Sequence, residues 1–162
     1  MNKKTTTIIA TIVIVTLTLV YTLASTYSVV INVTEKDGIT EIVNQINIRD
    51  IFTNDDGTYN DIYYDVKNEL NITEDEADIL MNSTKLNEHL QTVLNSIVDV
   101  KINNNENSKL SNEQLYNLIV DGVNNTENIT DELKNKVITK SDKYKQDISD
   151  FVYDIEVSVL GE

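Results

Sequence analysis

Leu86-Asn87-Glu88-His89-Leu90-Gln91-Thr92-Val93-Leu94-Asn95-Ser96-Ile97-Val98 repeats its apolar residues at steps of four, three, one, three and one. On a 3.6-residue helix those steps form a single stripe, whereas a half-buried strand would alternate. Both sides of this stretch repeat the pattern. Downstream come Leu115, Leu118, Ile119 and Val123, then Leu133, Val137, Tyr144, Ile148, Phe151, Val152 and Ile155. Upstream come Tyr59, Ile62, Tyr63, Val66 and Leu70, and before them Ile39, Ile42, Val43 and Ile46. The fold expected over residues 34–162 is therefore all-α, a bundle of five to six amphipathic helices. The last of them is expected to run from about Asp131 to Ile155.

Helix starts and breaks agree with the stripes. Thr73-Glu74-Asp75-Glu76 and Ser111-Asn112-Glu113-Gln114 have the form of capping boxes, and Thr130 is a good N-cap followed by two acids. Asn54-Asp55-Asp56-Gly57 is turn chemistry, and Asn124 to Asn128 is another break. Lys101 to Lys109 has almost no apolar content and reads as a mobile loop.

Ahead of the bundle, Met1-Asn2-Lys3-Lys4 precedes the 26-residue apolar run from Ile8 to Val33, which only Asn32 interrupts. As a helix that run would be ~39 Å long, against a hydrocarbon core of ~30 Å. It reads as a single transmembrane anchor over 8–33. Residues 1–7 then lie in the cytoplasm by the positive-inside tendency, and 34–162 form an extracytoplasmic domain. The rival reading is a signal peptide cleaved after Thr22-Leu23-Ala24, before Ser25, although its apolar region normally runs only ~7–15 residues.

The net charge is −14, and no acidic residue precedes Glu35. Such a surface repels nucleic acid, so no nucleic-acid partner is expected. The chain has no Cys, one His and four Gly. That excludes disulfides, thiolate nucleophiles, Cys- or His-based metal cages and Gly-rich phosphate loops; no cofactor is expected. Asn is abundant, with 21 copies, alongside 20 Ile, and a lone Arg stands against 12 Lys. This looks like the codon signature of a low-GC bacterial genome rather than of function.

Four constellations could still carry chemistry. Asp55, Asp56 and Asp61 could form a loose calcium site, but the EF-hand register fails: placing Gly57 at position six puts Phe52 at position one and Tyr63 at position twelve. His89, beside Glu88, could be a base or pH sensor, against the plainer reading of a half-exposed helical residue. Glu74, Asp75, Glu76 and Asp78, or Asp147, Asp150 and Asp154, could supply paired carboxylates for a hydrolase. The apolar run carries Thr11, Thr18, Thr22 and Ser25 within roughly a 60° sector at ~100° per residue, a face suited to helix association with a partner or a second copy. Five Asn-x-Ser/Thr sequons are about what this composition produces by chance.

The function expected is non-enzymatic: a membrane-anchored interaction or scaffold module at the outer face. A sensor-like ligand-binding domain is the alternative, and a carboxylate hydrolase comes third.

Overall fold

A computed structural model describes residues 30–33, 43–154 and 156–159. The body, 43–154, is all-α. Seven α-helices are seen among the described residues: α1 (Ile48–Phe52), α2 (Asp61–Leu70), α3 (Glu74–Met81), α4 (Thr84–Lys101), α5 (Asn112–Asn124), α6 (Asp131–Tyr144) and α7 (Ile148–Tyr153).

Side-chain oxygens start most of these helices by accepting the first free N–H groups. Thr73 with Glu76 and Ser111 with Gln114 close the two expected capping boxes, and Thr130 accepts from the Leu133 N–H. A third box, Asn47 with Asp50, opens α1; Asn60 and Ser83 cap α2 and α4. Asn71 ends α2 in the left-handed conformation at φ 52°. Its N–H and that of Ile72 both donate to the Lys67 carbonyl, so asparagine fills the place that glycine usually takes.

Helix α4, ~27 Å long by its 18 residues, is the axis of the core. Leu86, Leu90, Val93, Leu94, Ile97 and Val98 are all buried along it. Helix α5 packs on α4 and α6 packs on α5. Leu133, Val137, Ile148 and Val152 close the core from the C-terminal side. Each fully buried Leu, Ile or Val contributes ~1.5–3 kcal/mol of transfer free energy.

Three expectations need correction. The last helix is broken: α6 stops at Tyr144 and α7 begins at Ile148. The four-residue step from Tyr144 to Ile148 keeps both facing the core, so the stripe continues through a break that it cannot reveal. The segment after Lys101 is not a free loop. Ser108 holds it down, with its carbonyl accepting from Ser96 Oγ at 2.6 Å and its hydroxyl donating to Asp99 Oδ2 at 3.2 Å.

The third correction concerns the end of the apolar run. Val30–Val33 form a strand, β1, paired in parallel with β2 (Glu156–Val159), with Val30 opposite Glu156 and Val33 opposite Val159. Those four residues therefore belong to a β-ribbon and not to an anchor helix reaching Val33. Among the described residues no helix is long and apolar enough to cross a membrane. Positions 8–29 of the expected span, with Thr11, Thr18, Thr22 and Ser25, lie outside the described residues.

Candidate functional site

A polar concavity lies where the α3–α4 corner meets the α5–α6 corner. It is a cleft of about 620 Å³ walled by Asp78, Asn82, Thr84, Lys85, Glu88, Asn125, Glu127 and Asn128. Three features of the chain shape it. Asn82 ends α3 and Ser83 immediately caps α4, so two helices meet with no linker between them. Asn128 turns the chain back at φ 60°. Thr126, buried, ties the two corners together: it bonds Ser83 Oγ at 2.7 Å and donates to the Gly122 carbonyl, also at 2.7 Å.

One wall leads to the single histidine. Asn125 donates to Asp121 Oδ1 at 2.9 Å, and Asp121 Oδ2 lies 2.6 Å from His89 Nε2. His89 is largely covered, with 13 % of its side chain exposed, whereas Asp121 is half exposed. The ring is seated by Gly122: a Cβ there would lie 3.2 Å from His89 Cδ2 and 2.5 Å from Leu86 Cδ2. Glycine at 122 thus lets α4 and α5 approach closely enough for His89 to reach Asp121. The sequence singled out His89 for its neighbour Glu88, but Glu88 instead accepts from Lys85 at 3.0 Å and raises the Lys85 pKa. The true partner lies 32 positions downstream on another helix.

Among the other carboxylates singled out in the sequence, Glu76, Asp78 and Asp56 are engaged in holding the fold. Glu76 Oε2 accepts from the Thr73 N–H at 2.8 Å, and Oε1 lies 3.3 Å from Lys136 Nζ. The Thr73 N–H is the main cause holding its carboxyl below the ordinary value, with Lys136 adding to it. Asp78 Oδ1 takes Arg49 at 2.9 Å and the Tyr59 hydroxyl at 3.2 Å. Asp147, Asp150 and Asp154 are exposed around α7. Asp56 Oδ1 accepts both the Thr58 hydroxyl at 2.6 Å and its N–H at 2.9 Å, completing the turn at Gly57. The loose calcium trio is not assembled, and among the described residues no group of three or more metal-ligating side chains is positioned around one point.

A second concavity, a groove of about 780 Å³, runs between the end of α2 and the flank of α6. Lys136, Lys140 and Lys143 line it, with Glu69 and Glu132. Its lysines are largely neutralised: Lys140 pairs with Glu69, and Lys136 lies between Glu76 and Glu132. Beside α2, Tyr63 stacks on Tyr59 with ring centroids 3.8 Å apart. Burial pushes the Tyr63 hydroxyl pKa up to about 12, with Glu74 contributing; among the described residues it is the buried side-chain polar atom left without a hydrogen-bond partner.

Comparison with protein-family models, curated proteins and solved structures gives no match for this chain.

Proposed function

We propose that this chain is a non-enzymatic interaction module, held at the outer face of a membrane by its N-terminal apolar run and presenting an acidic helical body to a protein partner. The observation that carries the reading is how the reactive side chains are used. Glu76, Asp78, Asp56 and His89 are each engaged in a cap, a turn or an inter-helix pair that the fold needs. With Val30–Val33 in the ribbon, the apolar run that remains, 8–29, is ~33 Å long as a helix, a closer match to a ~30 Å hydrocarbon core than the full run. Thr11, Thr18, Thr22 and Ser25 then offer a small, hydroxyl-bearing face for a second span or a second copy.

Protease added to intact cells stripped of their wall tests the placement. Loss of the acidic body with the N-terminus retained supports it, and protection of the body overturns it. A mature N-terminus at Ser25 would convert the anchored reading to a secreted one. Crosslinking on such cells, followed by identification of what the body touches, tests the scaffold role.

A second reading, a sensor-like ligand-binding domain, draws on the polar cleft. Its convergent amides and the chain of bonds through Asn125 and Asp121 to His89 suit a small polar ligand. Saturable binding that is lost in both Asn125→Ala and His89→Ala would favour it over the scaffold.

A further inference from the structure

The C-terminal helix is held in an unusual way. At six residues α7 is too short to persist by its own hydrogen bonds, and Asp147 at its N-cap makes no side-chain capping bond. Another element supplies the cap. Asn112, the first residue of α5, accepts the Ser149 N–H at 2.7 Å and donates to the Gln146 carbonyl at 2.6 Å. Further along, the Tyr153 hydroxyl bonds Ser96 Oγ and accepts the Leu110 N–H at 2.9 Å, while Ser149 Oγ donates to the Leu110 carbonyl at 2.9 Å. These polar fastenings converge on Leu110, Asn112 and the adjoining face of α4.

Two residues past Asp154 the chain enters β2, whose only strand neighbour among the described residues is β1. A two-stranded ribbon of four residues a side is marginal when isolated, as is a six-residue helix. Each holds one end of a short segment, so docking of either raises the effective concentration of the other. We infer that α7 and β2 form a strap that is fastened cooperatively, and that β1 decides from the opposite end of the chain whether α7 stays docked. Withdrawal of Val30–Val33 from the ribbon loosens α7 and bares the apolar seat of Ile148 and Val152, both buried when it is docked. The inference rests on the strand register and the α7 contacts, and it stands whether or not the N-terminal run is a membrane anchor.

The chain lacks cysteine, so a disulfide across the ribbon can be introduced cleanly. Asn32 and Ser158 are register partners. Paired strands lie ~4.8 Å apart, within bridging range. In the full-length Asn32→Cys/Ser158→Cys variant, oxidation should form the crosslink. Amides of Ile148–Tyr153 should then exchange with solvent about tenfold more slowly than in the same protein reduced. In Val157→Pro/Ser158→Pro, which removes the ladder donor that one of these two successive residues supplies, those amides should exchange about tenfold faster than in the parent while α4 stays protected. Failure of the crosslink to form, or α7 exchange equal in the oxidised and reduced protein, overturns the inference. That comparison is made within one protein, so it decides even if the proline variant does not fold.

Discussion

Replacing Gly122 by Ala sets two effects of opposite sign against each other. Gly122 lies inside α5, where Ala is intrinsically better by ~1 kcal/mol. On helix propensity alone the variant would be more stable than the parent. The added methyl, however, would lie 2.5 Å from Leu86 Cδ2 and 3.2 Å from both Leu86 Cγ and His89 Cδ2. Carbon atoms settle at ~3.5–4.0 Å, so the nearest contact falls at least ~1 Å short. Leu86 is fully buried, so its methyl must shift against close-packed neighbours to make room. Overpacking of this kind costs ~1–3 kcal/mol. The difference is a net loss of up to ~2 kcal/mol, centred near 1, or a few degrees in Tm for a domain of this size. Urea unfolding of the full chain followed by far-UV circular dichroism measures it. Adding Leu86→Ala removes the atom that the methyl meets, so the double variant should lose ~1 kcal/mol less than the sum of the singles. If Gly122→Ala is instead stabilised by the ~1 kcal/mol of helix propensity, the close approach of α4 and α5 is wrong, and with it the seating of His89 against Asp121.

Asn112→Ala leaves the Ser149 N–H and the Gln146 carbonyl without their partner, and should cost ~1–3 kcal/mol, with hydrogen exchange rising over 146–153 and the ribbon strands coupled to it while α4 stays protected. Glu76 is held below its ordinary value of 4.5, chiefly by the Thr73 N–H. A carboxyl depressed in the folded state stabilises the fold above its unfolded pKa, and that stabilisation fades as pH falls through about 4.5 and below. Glu76→Gln should therefore be less stable than the parent at neutral pH and converge with it in acid; parallel pH–stability curves would refute the linkage. For the proposed span, Thr18→Leu/Thr22→Leu should weaken association in a membrane two-hybrid assay more than Thr16→Leu on the opposite side, and equal effects would reduce the hydroxyl face to composition.

What could be read from the sequence was what depends on neighbours within a turn or two. The stripe from Leu86 to Val98 is buried as the spacing predicts, and Thr73, Ser111 and Thr130 cap the helices that follow them. What escaped depends on distant partners. Val30–Val33 close an apolar run, so hydropathy assigns them to the span, yet their partner Glu156–Val159 lies more than 120 positions away in a strand too short to show alternation. The break before α7 has no Pro or Gly to announce it, and the residue that caps α7 is Asn112, on α5. Asn87 does the same for α1, accepting the Ile48 N–H at 2.7 Å. Nothing local distinguishes these asparagines from the many that composition supplies. The Asp121 partner of His89 was hidden for the same reason, and the only local clue was Gly122, a glycine inside a helical stripe.

The left-handed asparagines also bear on how the protein ages. Asparagine is a thermolabile residue. It degrades when the backbone nitrogen of the following residue swings back to attack the side-chain carbonyl, closing a five-membered imide. At Asn71 that nitrogen belongs to Ile72, whose N–H is bonded to the Lys67 carbonyl at 3.1 Å. At Asn104, left-handed at φ 54°, it belongs to Asn105, whose N–H is bonded to the Asp99 carbonyl at 2.9 Å. At Asn71 and Asn104 the turn thus holds the would-be nucleophile in a hydrogen bond. The sequence contains no Asn-Gly pair, the arrangement in which ring closure is least hindered. A chain with 21 asparagines can in this way keep Asn71 and Asn104 chemically durable, and deamidation should reach other exposed asparagines before these two.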